Sequence, residues 1–337
     1  MRLFTDGAEF GDILELSSVG ASGSEGVSSA QARSGTYSYY SAGAEGSNRW
    51  IEKTFTASSE IFYRFGVRRA GAQDMNIAVA KSGTTQIGYL KIPGSTGKIE
   101  IYVGSSTKVA TSTITIPVGS WMLIEWHLKI DDSVGVSEIR VEGVADASFT
   151  GDTKPDANTT VNFMRHCSYN WDSTYYDDLA VNNTDNSDGK GDTSWCGEGR
   201  IEILMPNGNG NVNEWTGSDS NSIDNYLLVD DKPPSSADYV EDSTPGNQDA
   251  YLLTDFTGTG KQILRVWAAA RAIDTVPEGA QMKIGIRTNS TDYLSSAKTL
   301  LTVYGPVIGD AHKVNPDDSA AWEDADLDAL ELVLETV

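Results

Sequence analysis

At 337 residues the chain is longer than one hydrophobic core usually serves, and its 39% apolar content is ordinary for a globular protein. Its 25 Lys and Arg against 48 Asp and Glu leave a net charge of −23, which repels nucleic acid and anionic membranes wherever no local basic patch intervenes. No apolar run reaches the roughly 18 residues a membrane helix needs, and Met1-Arg2-Leu3-Phe4-Thr5-Asp6 meets an acid too early for a secretory signal. The expectation is a protein made in the cytoplasm, with no signal peptide, membrane insertion or nucleic-acid partner.

The first half predicts short strands between Gly/Ser/Asn turns. Gly35 to Ser41, Arg49 to Phe55, Ile61 to Arg69 and Asn76 to Lys81 are rich in β-branched and aromatic residues and partly alternate. Gln86 to Ile92, Lys98 to Val103, Trp121 to Ile130 and Gly135 to Val141 continue the series, and Val161 to Met164 and Tyr175 to Val181 close it. This spacing predicts a jelly-roll β-sandwich over residues 1–182. The polar, turn-rich stretch NNTDNSDGKGD from Asn182 marks a boundary, with a linker at 183–198.

Residues 199–337 predict a second, β-rich and strongly acidic domain. Its strands are Arg200 to Met205, Asn225 to Val229, Ala250 to Phe256, Gln262 to Ile273, Ala280 to Thr288 and Thr299 to Tyr304. At its end Leu327, Leu330 and Leu334 are spaced by three and four, one apolar face of a short α-helix with acids in its first turn. With Trp322 they are the assembly candidates, because an apolar face on a terminal helix calls for a partner.

Chemistry-bearing residues are sparse. His127, His166 and His312 are the only histidines, and His127 reads as a packed strand residue. Cys167 and Cys196 read as two free thiols, with a single bridge as the alternative. The carboxylate pair of a glycoside hydrolase is missing: Glu100 and Glu125 stand alone, Arg140 separates Glu138 from Glu142, and Asp177 and Asp178, being adjacent, are expected on opposite faces of a strand. A non-enzymatic protein with no cofactor is therefore expected. A weak calcium site near Asp185 and Asp188 ranks below a solvated turn, since the loop fails the EF-hand register. For sugar recognition, Trp171, Asp172, Tyr175 and Asp178 combine stacking rings with hydroxyl acceptors. The acidic surface favours neutral or amine-bearing sugars.

Arg33-Ser34-Gly35-Thr36-Tyr37-Ser38, Gly119-Ser120-Trp121 with Glu125 to Ile130, Glu138 to Gly143, and Tyr176 to Val181 resemble the laminin-G or concanavalin A-like jelly roll, with Glu142 where that family commonly has Asp. The second half resembles segments of tailed-bacteriophage virion structural proteins. The matching residues are Gly191-Asp192, Gly199-Arg200-Ile201, Leu204 to Gly208, Trp215-Thr216, Asn225-Tyr226, Val229 to Pro234, Asp238 to Val240, Asn315-Pro316 and Ala321-Trp322 with Leu327 and Leu330-Glu331. These resemblances imply a tail, fibre or head-decoration component on the particle exterior. They also imply contacts with other virion proteins, self-association (a trimer if a fibre) and binding of host-surface glycans. The alternatives are a polysaccharide-degrading tail depolymerase and a cement protein without a ligand.

Overall fold

A computed structural model describes residues 1–13, 15–20, 25–42, 49–168, 173–258, 260–275 and 279–337. The chain divides into two compact units, Met1–Glu202 and Ile203–Val337. Both are almost wholly β, and the sequence patterning explains why: alternating stretches such as Lys98–Val103 bury every second side chain against a core.

The first unit is a sandwich of two antiparallel sheets. Its strands are β1 (Arg2–Asp6), β2 (Ser18–Val19), β3 (Glu25–Ser28), β4 (Ser38–Ala42), β5 (Arg49–Ser58), β6 (Glu60–Arg69), β7 (Met75–Ser82) and β8 (Thr85–Ile92). They continue with β9 (Lys98–Val103), β10 (Thr107–Thr115), β11 (Met122–Lys129), β12 (Gly135–Val141), β13 (Val144–Gly151), β14 (Val161–Ser168) and β15 (Ser173–Asn183). One sheet runs β13-β12-β11-β6-β15-β4-β3, with β1 added on β15; the other runs β10-β9-β8-β7-β14-β5-β2. Their inner faces meet around Trp126, Tyr63, Phe65, Ile77, Leu90, Ile101 and Tyr176. Trp126 is fully buried because its indole Nε1 donates to Ser137 Oγ at 3.0 Å.

Residues 183–198, expected as a linker, belong to this unit. Cys196 and Gly197 lie on the outer face of the first sheet: Cys196 Sγ meets the Phe62 carbonyl, and the Gly197 amide donates to Glu125 at 2.7 Å. Ile201 continues the segment, its amide donating to Asp178 at 2.7 Å, so the strand expected at Arg200 to Met205 is absent there.

The second unit contains β16 (Pro206–Asn213), β17 (Thr216–Gly217), β18 (Val240–Glu241), β19 (Gln248–Leu253), β20 (Ala269–Ala272), β21 (Gln281–Thr288), β22 (Thr291–Leu294), β23 (Lys298–Thr299), β24 (Gly305–Ile308), the helix α1 (Asp324–Asp328) and β25 (Glu331–Thr336). Its main sheet runs β16-β19-β25-β21-β22, with β23 on β21. Asn225–Leu228, expected as a strand, is a 3-10 turn, since Asn225 points inward to the Trp215 carbonyl and Asp249. The short helix near the end is present but spans little more than one turn. Leu334 lies in β25, paired with Asp249 and Ile284, and Leu330 precedes that strand. Trp322, Leu327, Leu330 and Leu334 are all buried in this unit's own core with Trp215, Tyr251 and Ile284. That corrects their reading as an assembly surface: the apolar face is already covered within the chain.

Candidate functional site

The outer face of the β10–β2 sheet gathers the side chains best suited to a ligand. Glu52, Arg165, Val79, Tyr89, Tyr102 and Lys108 are successive register partners across β5, β14, β7, β8, β9 and β10. At about 4.8 Å per strand this row is roughly 24 Å long. Beside it lie Thr54, Phe163 and Lys81 in one direction and Asn76, Lys91, Glu100 and Thr111 in the other. The face thus carries Lys81, Lys91, Lys98, Lys108 and Arg165 against Glu52, Glu100 and Asp74, the last paired with Lys91 at 2.8 Å.

These groups are held in place by one another. Arg165 Nη2 pairs with Glu52 Oε2 at 2.7 Å, and its guanidinium lies 4.1 Å from the Trp50 ring centroid. Tyr89 and Tyr102 stack at 4.4 Å with planes 10° apart. Tyr102 Oη donates to Glu100 at 2.7 Å, and Lys108 Nζ meets the other oxygen of that carboxylate at 2.9 Å. Lys81 Nζ sits 5.0 Å over Phe163.

Local environment tunes their acidity. Partial burial, then the nearby Arg165 charge, pulls the Lys81 ammonium below its ordinary range. Burial and the Glu100 carboxylate push Tyr102 up to about 12, and burial raises Tyr89. Burial works against ionisation of Glu100, yet the bonds from Tyr102 and Lys108 outweigh it and hold the carboxyl low. The result is an aromatic and cationic face with one lysine whose ammonium is held less firmly than usual.

The residues singled out for sugar binding fare differently. Trp171 and Asp172 lie outside the described residues. Tyr175 is half-buried on the other sheet, tilted against Tyr40 at 6.4 Å with Arg68 over its ring. Asp178 is fully buried: it binds Arg33 Nη1 at 2.5 Å, Ser34 Oγ at 2.6 Å and the Ile201 amide. Its oxygens are committed to the fold, which corrects its assignment as a sugar ligand.

His127 is nearly buried between Glu60 at 2.8 Å and Glu138 at 3.0 Å, stacked on Phe62 at 4.2 Å. His166 is enclosed in the sandwich core; burial lowers it to about 4, and its Nδ1 meets the Ile77 carbonyl at 2.6 Å. Cys167 and Cys196 are free thiols. Near the expected calcium turn, Asp185 accepts the Ser187 amide and hydroxyl and Asp188 accepts the Lys190 amide. Among the described residues no group of three or more His, Cys, Asp or Glu is arranged to hold a metal ion. The sequence reading missed the row on the β10–β2 sheet, although the alternation of Lys98, Glu100 and Tyr102 with Ile99, Ile101 and Val103 marks its outward positions.

No family model and no curated protein matches the chain. Solved structures do. An endo-β-1,4-glucuronan lyase from the fungus Trichoderma reesei aligns with a TM-score of 0.44 and 16% identity, over 55% of this chain and 96% of that one. A galectin-like protein from Bacillus subtilis aligns at 0.39 and 10% identity, over 53% and 94%. An alginate lyase from a Chlorella virus aligns at 0.35 and 10% identity, over 50% and 99%. The likeness is one of β-sandwich fold and carries nothing about a place in a virion. Two of these three sandwiches are polysaccharide lyases, so the fold lends no support to the expectation of a non-enzymatic protein. The missing carboxylate pair spoke only against hydrolysis.

Proposed function

We propose that the first unit acts on an acidic polysaccharide laid along the Glu52–Lys108 row and cleaves it by β-elimination. The observation that carries this reading is the concentration of five cations and two stacked tyrosines on one open sheet face of a chain with net charge −23. A neutral sugar needs no such charge; a uronate does. In this reading Arg165, fixed by Glu52 and Trp50, neutralises the uronate carboxylate and stabilises the enolate that forms next to it. Lys81, its ammonium lowered from the ordinary range by partial burial and Arg165, removes the proton on the carbon α to that carboxylate. Tyr89 donates its proton to the departing glycosidic oxygen. The C–H electron pair becomes the new C=C bond as the C–O bond breaks, so no water or oxidant enters.

The lyase descriptions of the similar structures agree with this chemistry, and the resemblance of the second half to tailed-phage segments supports its delivery as a tail depolymerase. Incubation with polyuronates should raise ultraviolet absorbance as the unsaturated product accumulates, whereas a neutral glucan should give none. Lys81→Ala should slow the reaction by about 10²–10⁴-fold, the usual contribution of a general base. Reducing ends without absorbance would mean hydrolysis and overturn the mechanism. No product from any acidic polymer would overturn the assignment.

A further inference from the structure

Buried polar oxygens are almost always hydrogen-bonded. Among the described residues of the second unit five are not: Oδ1 of Asn209, Asn213, Asn225 and Asp249, and Oγ1 of Thr336. The first four come from one place. Asn209 faces Tyr251 and Asn213 faces Asp249 across the β16–β19 ladder, so β16 runs through four residues where β19 runs through two and bulges there. The amide nitrogens of Asn209 and Asn213 donate to the carbonyls of the consecutive residues Ile223 and Ser222. Asn225, fully buried, donates from Nδ2 to the Trp215 carbonyl at 2.9 Å and to Asp249 Oδ2 at 2.7 Å. Tyr251 Oη donates to that same Oδ2 at 2.6 Å.

The orientations are forced. Exchanging oxygen and nitrogen in any of the three carboxamides would set carbonyl oxygen against carbonyl oxygen. Each nitrogen therefore faces a protein acceptor, and each Oδ1 is left for something else. Asp249 is itself fully buried, and burial lifts its carboxyl above the ordinary range against the bonds from Tyr251, Asn225 and the nearby Trp215 and Glu214 amides.

We propose that these four oxygens are side-chain ligands of a bound Ca²⁺ held between β16, the 215–225 segment and β19. Ca²⁺ accepts six to eight oxygens, neutral carboxamides and carbonyls included, in flexible geometry, whereas Mg²⁺ demands a tight octahedron and keeps its water. Only oxygen is offered here, with one carboxylate for charge, so the affinity belongs to the weak, about 10⁻⁴–10⁻³ M class. This site is distinct from the Asp185–Asp188 turn and from the polysaccharide face.

The test uses the full chain, stripped with chelator, in thermal unfolding and in equilibrium dialysis against radioactive calcium. Millimolar CaCl₂ should raise the unfolding temperature with one ion retained per chain. MgCl₂ and KCl at matched ionic strength should not. Asp249→Asn should abolish retention, and Asn209→Ala, which removes one ligand oxygen from the half-buried β16, should weaken it by about tenfold. The second variant decides the matter if the first fails to fold. No retained calcium and no shift would overturn the proposal and leave the oxygens to buried water. An equal shift with KCl, or retention that survives in folded Asp249→Asn, would overturn it as well.

Discussion

Asp177 and Asp178 are adjacent in a strand, where side chains ordinarily diverge, yet both carboxylates serve one polar cage. Asp178 adopts a φ of 54°, and β15 slips against β6 between Asp177 and Ala180. The kink lets Asp177 Oδ2 accept the Arg33 and Ser34 amides at 2.7 and 3.2 Å while Asp178 takes the Arg33 guanidinium and the Ser34 hydroxyl. Arg33→Ala would leave Asp178 buried without its counter-charge and should destabilise the unit by about 3–5 kcal/mol in urea denaturation. A loss under 1 kcal/mol would mean that solvent reaches the cage. Asp177 adds a pH dependence. Burial, then the Asp178 charge, pushes its carboxyl up to about 8, against about 4 in the unfolded chain. A carboxyl raised on folding stabilises the fold fully below its unfolded pKa and loses that contribution as pH rises through the folded value. Stability should therefore decline from about pH 4 to about pH 8, and Asp177→Asn should flatten the decline. Parallel slopes for the two proteins would count against a raised Asp177.

Among the strands, cross-strand register creates what no single segment contains. Gly88 in β8 faces Val103 of β9, and a Cβ there would lie 2.7 Å from the Tyr102 carbonyl oxygen. Gly88→Ala must push β8 off β9 and disturb the Tyr89–Tyr102 stack. The expected loss is about 1–3 kcal/mol, the usual range for overpacking, with a parallel loss of polysaccharide cleavage. Intact stability and activity would show that the tyrosine row tolerates a shifted strand. The same dependence on register explains how much of the molecule was legible in the sequence. Alternation exposed the strands and the sandwich of the first half, because burial on one face is written locally. The site was not written locally: Arg165 reaches Val79 only because β14 inserts between β5 and β7 from some eighty residues away. Local density of aromatics and acids drew attention instead to Asn170–Asp178, where Asp178 is structural. Near the end of the chain, Leu327, Leu330 and Leu334 satisfied a helical period, but Glu331–Thr336 also suits a strand, and pairing with both β19 and β21 decided the outcome.

At the scale of the whole chain, a net charge of −23 coexists with the cation-rich sheet face of the first unit, and the two act over different distances. The net charge of −23 is felt by a polyanion at long range, while Arg165 and Lys108 within the row of about 24 Å, and Lys81, Lys91 and Lys98 beside it, act at contact. Screening separates them, since the Debye length falls from about 30 Å at 0.01 M salt to 10 Å at 0.1 M and 3 Å at 1 M. Raising salt from the lowest value should first remove the long-range repulsion and leave the contact ion pairs largely intact. Higher salt should then weaken the contacts themselves. For cleavage of an acidic polysaccharide, kcat/KM should therefore pass through a maximum near 0.1 M NaCl rather than fall from the start. Replacing Lys91 and Lys108 by Gln should lower the maximum and flatten the high-salt limb, because fewer contacts remain to be screened. A rate that decreases monotonically from 0.01 M would mean that the distant acids have no say in encounter. One that ignores salt altogether would remove ionic contact from the site, and with it the acidic substrate.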